Sequence, residues 1–99
     1  MAGIMTAPVQ VTNNSTASQF EIRADGKTAT LAYSERDGKL YLIHTEVPKP
    51  LEGRGYASAL ARTALDYAKQ NQLTVVPYCP FVRAYLQRHP EYAPLVKGS

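Results

Sequence analysis

The hydrophobic residues between Ala57 and Ala68 recur at alternating steps of three and four positions. Residues at these spacings share one face of an α-helix. The pattern therefore predicts a helix that begins near Gly55, ends near Asn71 and buries one continuous stripe. The members of this stripe are Ala57, Leu60, Ala61, Ala64, Leu65 and Ala68.

Three segments that precede this helix have the pattern of β-strands. Apolar and polar residues alternate in 20–23, the pattern resumes in 28–33, and a third run covers 39–47. The pairs at 25–26 and 37–38 are both Asp-Gly, which two-residue hairpin turns prefer. This order predicts an antiparallel meander of three strands.

The segment from Leu73 to Val76 is rich in β-branched residues and follows the helix, so it predicts a strand parallel to the third one, with a right-handed crossover. Pro48 closes the third strand and Pro77 stands in the fourth, and each proline removes a backbone donor. We therefore expect the two parallel strands to splay at their carboxyl ends. This splay would leave a cleft beside the start of the helix.

Pro80 is well placed as the first residue of a short helix over 81–88, which His89-Pro90 then stops. The elements together predict an α+β (α/β) fold. In it, a three-strand antiparallel meander is followed by a βαβ unit with splayed parallel strands and a short C-terminal helix. Residues 1–18 are rich in Thr, Asn, Ser and Ala without any period, which predicts a flexible tail before a single domain over 19–99.

Composition narrows the class of protein. The 99 residues suffice for one core, and no run approaches the length of a membrane span. The N-terminus lacks the features of a signal peptide, so the cytoplasm is the expected compartment. The single cysteine excludes an intramolecular disulfide and a cysteine cluster for zinc, and no metal site is expected. A net charge of +3 comes from scattered basic residues, which does not favour nucleic-acid binding.

The start of the long helix carries the first chemical signal. Neither Leu51, Glu52 nor Arg54 is a good N-cap, so only Gly53 or Gly55 is left for this position. Several amides of the first turn then lack a partner, and two glycines let a bulky anion approach them. Because the helix dipole also favours negative charge there, a phosphate group is a natural ligand. The residues do not match a P-loop or a dinucleotide-binding fingerprint.

The turn resembles the coenzyme A pyrophosphate loop of the GNAT superfamily of N-acetyltransferases, whose pattern is Gln or Arg, two residues, Gly, one residue, then Gly or Ala. Gly55 and Ala57 match the last two positions, and Glu52 departs from the first. Further features in the same order are Glu46-Val47-Pro48, Pro77 to Phe81, Tyr85 and His89 to Tyr92. Over about residues 19–92 the chain is similar to the short, stand-alone GNAT-like acetyltransferases.

The resemblance implies that acetyl-CoA is the acyl donor. The residues that it implies for coenzyme A binding are Val47, Pro48, Gly53, Arg54, Gly55, Tyr56, Ala57 and Ser58. It also implies a trimmed fold without the parts that normally wall the acceptor site. The acceptor side should then be open, or completed by the substrate or by a second subunit, so both a monomer and a homodimer are expected forms. The acceptor is an unknown amine, either a small molecule or a protein.

Four residues are candidates for catalysis. The resemblance implies that Tyr85 is the acid for the departing thiolate, while its place on an apolar helix face also fits a core aromatic. His44 and Glu46 share a face of the third strand, so either could reach the cleft as a general base. They also fit a hydrogen-bonded strand histidine and a solvated carboxylate. A base is dispensable if the proton leaves through water.

Cys79 stands at the end of the fourth strand and just before a helix. A helix N-terminus lowers the pKa of a thiol, which would favour a nucleophilic thiolate. The residue could instead line the cleft or be a small buried hydrophobe. All three roles are consistent with the sequence.

The leading hypothesis is acetyl-CoA-dependent N-acetyltransfer, in which the amine attacks the thioester directly. A coenzyme A-binding module with little or no turnover is the alternative, suggested by Glu52 and by the missing acceptor walls. A basic interaction module is a third hypothesis, suggested only by the pI of about 9.1.

Overall fold

A computed structural model describes residues 9–96 of the chain. The strands are β1 (Thr12–Asn14), β2 (Gln19–Ala24), β3 (Lys27–Arg36), β4 (Lys39–Glu46) and β5 (Thr74–Pro77). The helices are α1 (Tyr56–Gln70), α2 (Pro80–Arg88) and α3 (Ala93–Val96), with short 3-10 turns at Lys49–Leu51 and Pro90–Tyr92. None of the helices within residues 9–96 is long and apolar enough to cross a lipid bilayer.

The five strands form one mixed sheet in the order β1-β2-β3-β4-β5. Neighbouring strands from β1 to β4 are antiparallel, and β5 pairs with β4 in parallel through the α1 crossover. This architecture confirms the predicted α+β fold with a meander followed by a βαβ unit. Both Asp-Gly turns are also as expected, because Asp25, Gly26, Asp37 and Gly38 all have the positive φ that a type I′ turn requires.

The meander has one strand more than the sequence predicts. β1 lies within the segment that the sequence analysis assigned to a flexible tail, and it pairs with β2. Its partner residue Glu21 accepts hydrogen bonds from Asn14 Nδ2 at 3.0 Å and from Gln19 Nε2 at 2.6 Å. These bonds lower the pKa of Glu21, so its carboxylate stays charged and ties β1 to β2. The remainder of the predicted tail, residues 1–8, lies outside the described residues.

Helix α1 packs on the sheet through the stripe that the sequence predicts. Its buried residues are Leu60, Ala61, Ala64, Leu65 and Ala68. Three of the five are alanines, so the helix axis can lie close to the strands. Ala57, at the start of the predicted stripe, is only half-buried because it borders a cavity instead of the core.

The core lies on one side of the sheet. Val82 and Tyr85 of α2 belong to the same buried cluster as the α1 stripe and the core residues of β2 to β5. We call the side of the sheet that carries this cluster the inner face and the opposite side the outer face. On β3, the outer face is formed by small side chains, namely Thr28, Thr30, Ala32 and Ser34.

A β-bulge changes the direction of the side chains halfway along β4. Ala32 pairs with His44 while its neighbour Tyr33 pairs with Leu42, so Ile43 is an extra residue without an opposite partner on β3. Leu42 points to the inner face before the bulge, and Thr45 does so after it. His44 and Glu46 share one face, as their spacing predicts, and that face is the outer one.

Candidate functional site

The parallel ladder between β4 and β5 is short, and it ends at Pro77, one of the two prolines from which the splay is predicted. It runs from the pair Lys39–Thr74 to the pair Leu42–Pro77. The Cys79 amide then donates to the Leu42 carbonyl at 2.9 Å. β4 continues to Glu46 without a further partner on β5, so the strands separate after this point.

A cavity of about 210 Å³ lies on the inner face, where the end of β4 meets the first residues of α1 and α2. Its lining consists of Val47, Leu51, Glu52, Gly53, Gly55, Tyr56, Ala57, Ser58 and Phe81. The cavity therefore brings together six of the eight residues that the sequence analysis assigned to coenzyme A binding. The other two, Pro48 and Arg54, stand beside it without belonging to its lining.

The start of α1 has the features that an anion requires. Gly55 is the N-cap in the left-handed conformation, with φ of 79°, and no side chain caps the helix. The first intrahelical bond runs from the Ala59 amide to the Gly55 carbonyl at 3.0 Å, which leaves the amides before it for a ligand. A Cβ placed on Gly53 or Gly55 would meet no atom within 4 Å, so the surface above both glycines is open. A phosphate group fits this arrangement.

Two charged side chains flank this helix start. The Arg54 guanidinium forms an ion pair with Asp25 at 2.8 Å and lies 5.9 Å from the centre of the Tyr56 ring. Its charge is therefore shared with the hairpin turn between β2 and β3. Glu52 lines the cavity itself and brings a negative charge to the place where a phosphate would lie.

Cys79 is buried at the point where β4 and β5 separate. Its side chain is 3% exposed, and its sulfur lies 3.2 Å from the hydroxyl oxygen of Thr45. The Thr45 hydroxyl and the thiol thus bridge the gap between the strands on the inner face. The sequence left three roles open for Cys79, namely nucleophile, cleft lining and small buried hydrophobe. These contacts fit a small buried hydrophobe.

Tyr85 lies one helical turn after Phe81, further from the cavity. Its ring stacks on His89 at 4.1 Å and approaches Tyr92 at 6.4 Å, measured between ring centres. Burial raises the pKa of Tyr85, which keeps its hydroxyl protonated, as an acid requires. Among the described residues, Phe81 and not Tyr85 forms the α2 wall of the cavity.

His44 and Glu46 lie exposed on the outer face, on the opposite side of the sheet from the cavity. The predicted site residues are thus divided between two sides of the gap. The residues predicted to bind phosphate are on the inner face, and the candidate bases are on the outer face.

Three further residues at the site, Leu51, Phe81 and Thr45, are not among the site residues predicted from the sequence. Leu51 is a single apolar residue among polar neighbours and is completely buried in the turn before α1, a signal that the sequence did contain. Phe81 follows the proline that starts α2, so its proximity to α1 depends on tertiary packing. Thr45 contacts Cys79 only because the bulge at Ile43 turns its side chain inward.

Comparison with known proteins agrees with this architecture. Protein NATD1 of Gallus gallus is 37% identical to this chain over 87 residues, which cover 84% of the chain and 78% of the relative. Protein NATD1 of Homo sapiens is 36% identical over 87 residues, covering 84% and 76%. A Staphylococcus aureus protein described as GCN5-like, solved by NMR in solution, superposes with a TM-score of 0.71. It is 22% identical, and the match covers 95% of this chain and 93% of that one.

A family profile gives the most direct assignment. The profile of the family described as GCN5-related N-acetyl-transferase matches residues 19–95, which include every described strand except β1, all of α1 and α2, and α3 up to Leu95. The chain belongs to the GCN5-related N-acetyltransferase family.

Proposed function

We propose that the protein transfers the acetyl group of acetyl-CoA to an amine by direct attack of the amine on the thioester. The observation that carries this proposal is the cavity at the uncapped start of α1, next to the gap between β4 and β5. In a member of this family, these two features supply a place for the pyrophosphate and a path for the pantetheine arm. Acetyl-CoA supplies the activated acetyl group.

The residues around the cavity contribute to coenzyme A binding in two ways. The free amides at Tyr56, Ala57 and Ser58 hold the pyrophosphate, and the absence of side chains at Gly53 and Gly55 lets it approach closely. The half-buried apolar side chains of Val47 and Phe81 then pack against the pantetheine arm and exclude water from it. Because most of these contacts come from backbone groups, binding tolerates the charge of Glu52.

The transfer requires a neutral amine on the outer face of the gap. Its nitrogen forms a bond to the thioester carbon, the carbon–sulfur bond breaks, and the departing thiolate takes up a proton. The amine loses its proton to His44, to Glu46 or to water, since both side chains are exposed on the side from which the amine approaches. Tyr85 is the candidate acid for the thiolate because the family pattern has a tyrosine in this role in the helix after β5, and burial keeps the Tyr85 hydroxyl protonated by raising its pKa.

Coenzyme A binding is tested by heat denaturation with matched variants. A ligand at a hundred times its dissociation constant stabilises the fold by about 2.7 kcal/mol, so coenzyme A should raise the Tm clearly, while adenosine should not. The substitution Ala57→Glu puts a carboxylate in the cavity and should abolish this rise. Ala84→Glu makes the same change at an exposed position of α2 and should preserve it. An unchanged Tm of the wild type with saturating coenzyme A would contradict the assignment.

Catalysis is tested separately, by release of free thiol from acetyl-CoA in the presence of amines, peptides and polyamines. The alternative function, a coenzyme A-binding module without useful turnover, is favoured by the carboxylate of Glu52 in the cavity. Stabilisation by coenzyme A without thiol release for any acceptor would favour this alternative. Thiol release matched by acetylated amine would establish the enzyme.

A further inference from the structure

Large hydrophobic side chains are exposed at the end of the β4–β5 ladder. Ile43 is 45% exposed and Tyr78 is 60% exposed. They follow the last ladder pair, Leu42 and Pro77, one on each strand, so they lie on either side of the point where the strands separate. The Tyr78 ring stacks on Tyr41, with 6.0 Å between ring centres and 23° between ring planes. We call Tyr41, Ile43 and Tyr78 the outer patch.

The outer patch is held in place by two arginines. The Arg36 guanidinium lies 4.9 Å from the centre of the Tyr41 ring. Arg83 Nη1 donates to the Pro77 carbonyl at 3.1 Å and to the Tyr78 carbonyl at 2.6 Å, which fixes the backbone that carries the exposed ring. The exposure of Tyr78 is therefore a feature of an ordered surface, and such exposed apolar surface commonly marks a binding site.

The position of the outer patch connects it to the gap between the strands. Tyr78 is followed directly by Cys79, and Ile43 stands two residues before Thr45; the cysteine and the threonine meet across the gap on the inner face. The outer patch therefore lies on the outer side of the gap between β4 and β5, and the cavity lies on the inner side of the same gap. A group bound on the patch lies beside any thioester that occupies the gap.

The charges along the outer face differ at the two ends of the patch. Arg36 and Lys39 lie at the end where β3 turns into β4, and Glu46 lies at the other end of β4. The distance from Tyr41 to Glu46 along the strand is about 15 Å, the length of about five extended residues. A ligand that matches this surface is extended, with a positive charge at one end, an apolar group in the middle and a negative charge at the other end.

We propose that the outer patch binds the acceptor of the transfer reaction and that this acceptor is an extended peptide segment of a protein. The segment places its amine near Glu46, packs an apolar or aromatic side chain on Tyr41 and Tyr78, and directs an acidic side chain toward Arg36. The open surface is compatible with an extended chain, whereas small molecules bind in enclosed cavities. This inference rests on the proposed acetyltransferase function.

The test measures the binding of labelled peptides by fluorescence anisotropy, with coenzyme A present. This measurement requires no turnover. The first peptide has an acidic residue, a phenylalanine and a lysine at alternating positions, separated by serines. The second has serine in place of phenylalanine. The wild type should bind the first peptide about tenfold more tightly than the second.

Three variants separate the patch from the rest of the surface. Tyr78→Ala should remove the preference for phenylalanine, and Tyr78→Phe should keep it, because the hydroxyl is not part of the contact. Val9→Ser is the matched control, since Val9 is a hydrophobic residue with 43% exposure that lies outside the patch, and it should bind as the wild type does. Arg36→Glu should weaken binding of the acidic peptide and strengthen binding of a peptide with lysine in place of the acidic residue.

Turnover gives the second readout. With the phenylalanine peptide as acceptor, Tyr78→Ala should raise the KM about tenfold and leave kcat and the thermal stabilisation by coenzyme A unchanged. Equal binding of both peptides by the wild type, or an unchanged preference in Tyr78→Ala, would overturn the proposal. A wild-type dimer that Tyr78→Ala converts to a monomer in sedimentation would overturn it too, because a second copy would then cover the patch. Failure of the proposed function would appear differently, as a lack of stabilisation by coenzyme A.

Discussion

The guanidinium of Arg54 and the carboxylate of Asp25 form an ion pair at 2.8 Å that joins the loop before α1 to the turn between β2 and β3. Both side chains are largely exposed, so the pair contributes little to stability. Its importance is electrostatic. Arg54 is the basic residue next to the proposed pyrophosphate site, and Asp25 neutralises the charge that would attract a phosphate.

Removal of the Asp25 charge should therefore tighten coenzyme A binding. Asp25→Asn keeps the turn, because asparagine tolerates the positive φ of 52° at this position. Because exposed charge pairs are weak and screened by salt, the Kd should fall only about two- to fourfold, and this fall should be largest at low salt. Calorimetric titration with coenzyme A measures this change. Asp37→Asn, the same substitution in the equivalent turn between β3 and β4, is the matched control. If Asp25→Asn still tightens binding in an Arg54→Ala background, the explanation is wrong.

Glu52 should weaken binding of the same ligand by repulsion. Glu52→Gln removes the negative charge from the cavity and restores a residue type that the family pattern has at this position. The Kd for coenzyme A should fall about three- to tenfold, since a partly screened charge pair is worth about 1 kcal/mol. The gain should shrink as the salt concentration rises. Glu91→Gln, at an exposed position outside the cavity lining, should leave the Kd unchanged.

Cys79→Ala distinguishes direct transfer from a covalent acetyl-enzyme. Because the thiol is buried and packs against Thr45, we expect a small loss of stability, about 1 kcal/mol, and a modest loss of activity. The wild type should gain no acetyl group when it is given acetyl-CoA without an acceptor. Mass spectrometry of the intact protein is the measurement. An acetyl adduct on Cys79 that hydroxylamine removes, formed as fast as turnover, would require a covalent mechanism instead.

Tyr85→Phe tests the assignment of the acid. The phenylalanine ring keeps the stacking on His89, so the fold and the Kd for acetyl-CoA should change little. If the hydroxyl protonates the thiolate, kcat should fall, by about a hundredfold for a typical general acid. Steady-state kinetics with saturating acetyl-CoA measures this fall. Equal kcat values in the two proteins would leave Tyr85 with a packing role alone.

Two tyrosines should make the fold sensitive to alkaline pH. The hydrogen bond from Tyr67 to Glu35, 2.6 Å long, together with burial raises the pKa of Tyr67 to about 12. Burial and the hydrogen bond to Asp66 raise the pKa of Tyr92 to about 12 as well. Each folded-state pKa exceeds the unfolded value near 10, so the stabilisation is complete below about pH 10 and is lost as the pH rises through about 12.

The difference in the free energy of unfolding between the wild type and Tyr67→Phe isolates the effect of the Tyr67 hydroxyl. At pH 8 the wild type should be more stable by about 1 kcal/mol, which is below the usual value for a hydrogen bond to a charged group because this one is exposed. Urea unfolding at a series of pH values measures the difference. It should decrease steadily from pH 10 to pH 12. A constant difference across this range would show that the hydrogen bond does not stabilise the folded state.

The sequence predicted those elements whose cause is local. The spacing of Leu60, Ala61, Ala64 and Leu65 determines the buried face of α1 without reference to the rest of the chain. Each Asp-Gly pair likewise determines its own turn, because glycine and aspartate tolerate the positive φ. The mixed sheet followed from these elements, and the end of its parallel ladder followed from Pro77.

The features that the sequence did not predict depend on contacts between distant residues. β1 is short and polar, and Asn14 holds it to Glu21 across the strand pair, which no local pattern indicates. The bulge at Ile43 also cannot be predicted from the sequence, because an extra residue in a strand does not lower the β propensity of that segment. The predicted coenzyme A residues and catalytic residues stay predictions until ligand binding and turnover are measured.

The bulge at Ile43 also affects how β4 can change in length. Leu42 and Thr45 both face inward, and the two residues between them, Ile43 and His44, face outward. Because a regular strand alternates, deletion of either outward residue would remove the bulge and leave Thr45 facing inward and Glu46 facing outward. The bulge therefore gives protein engineers a place where β4 can be shortened by one residue without exchanging its two faces.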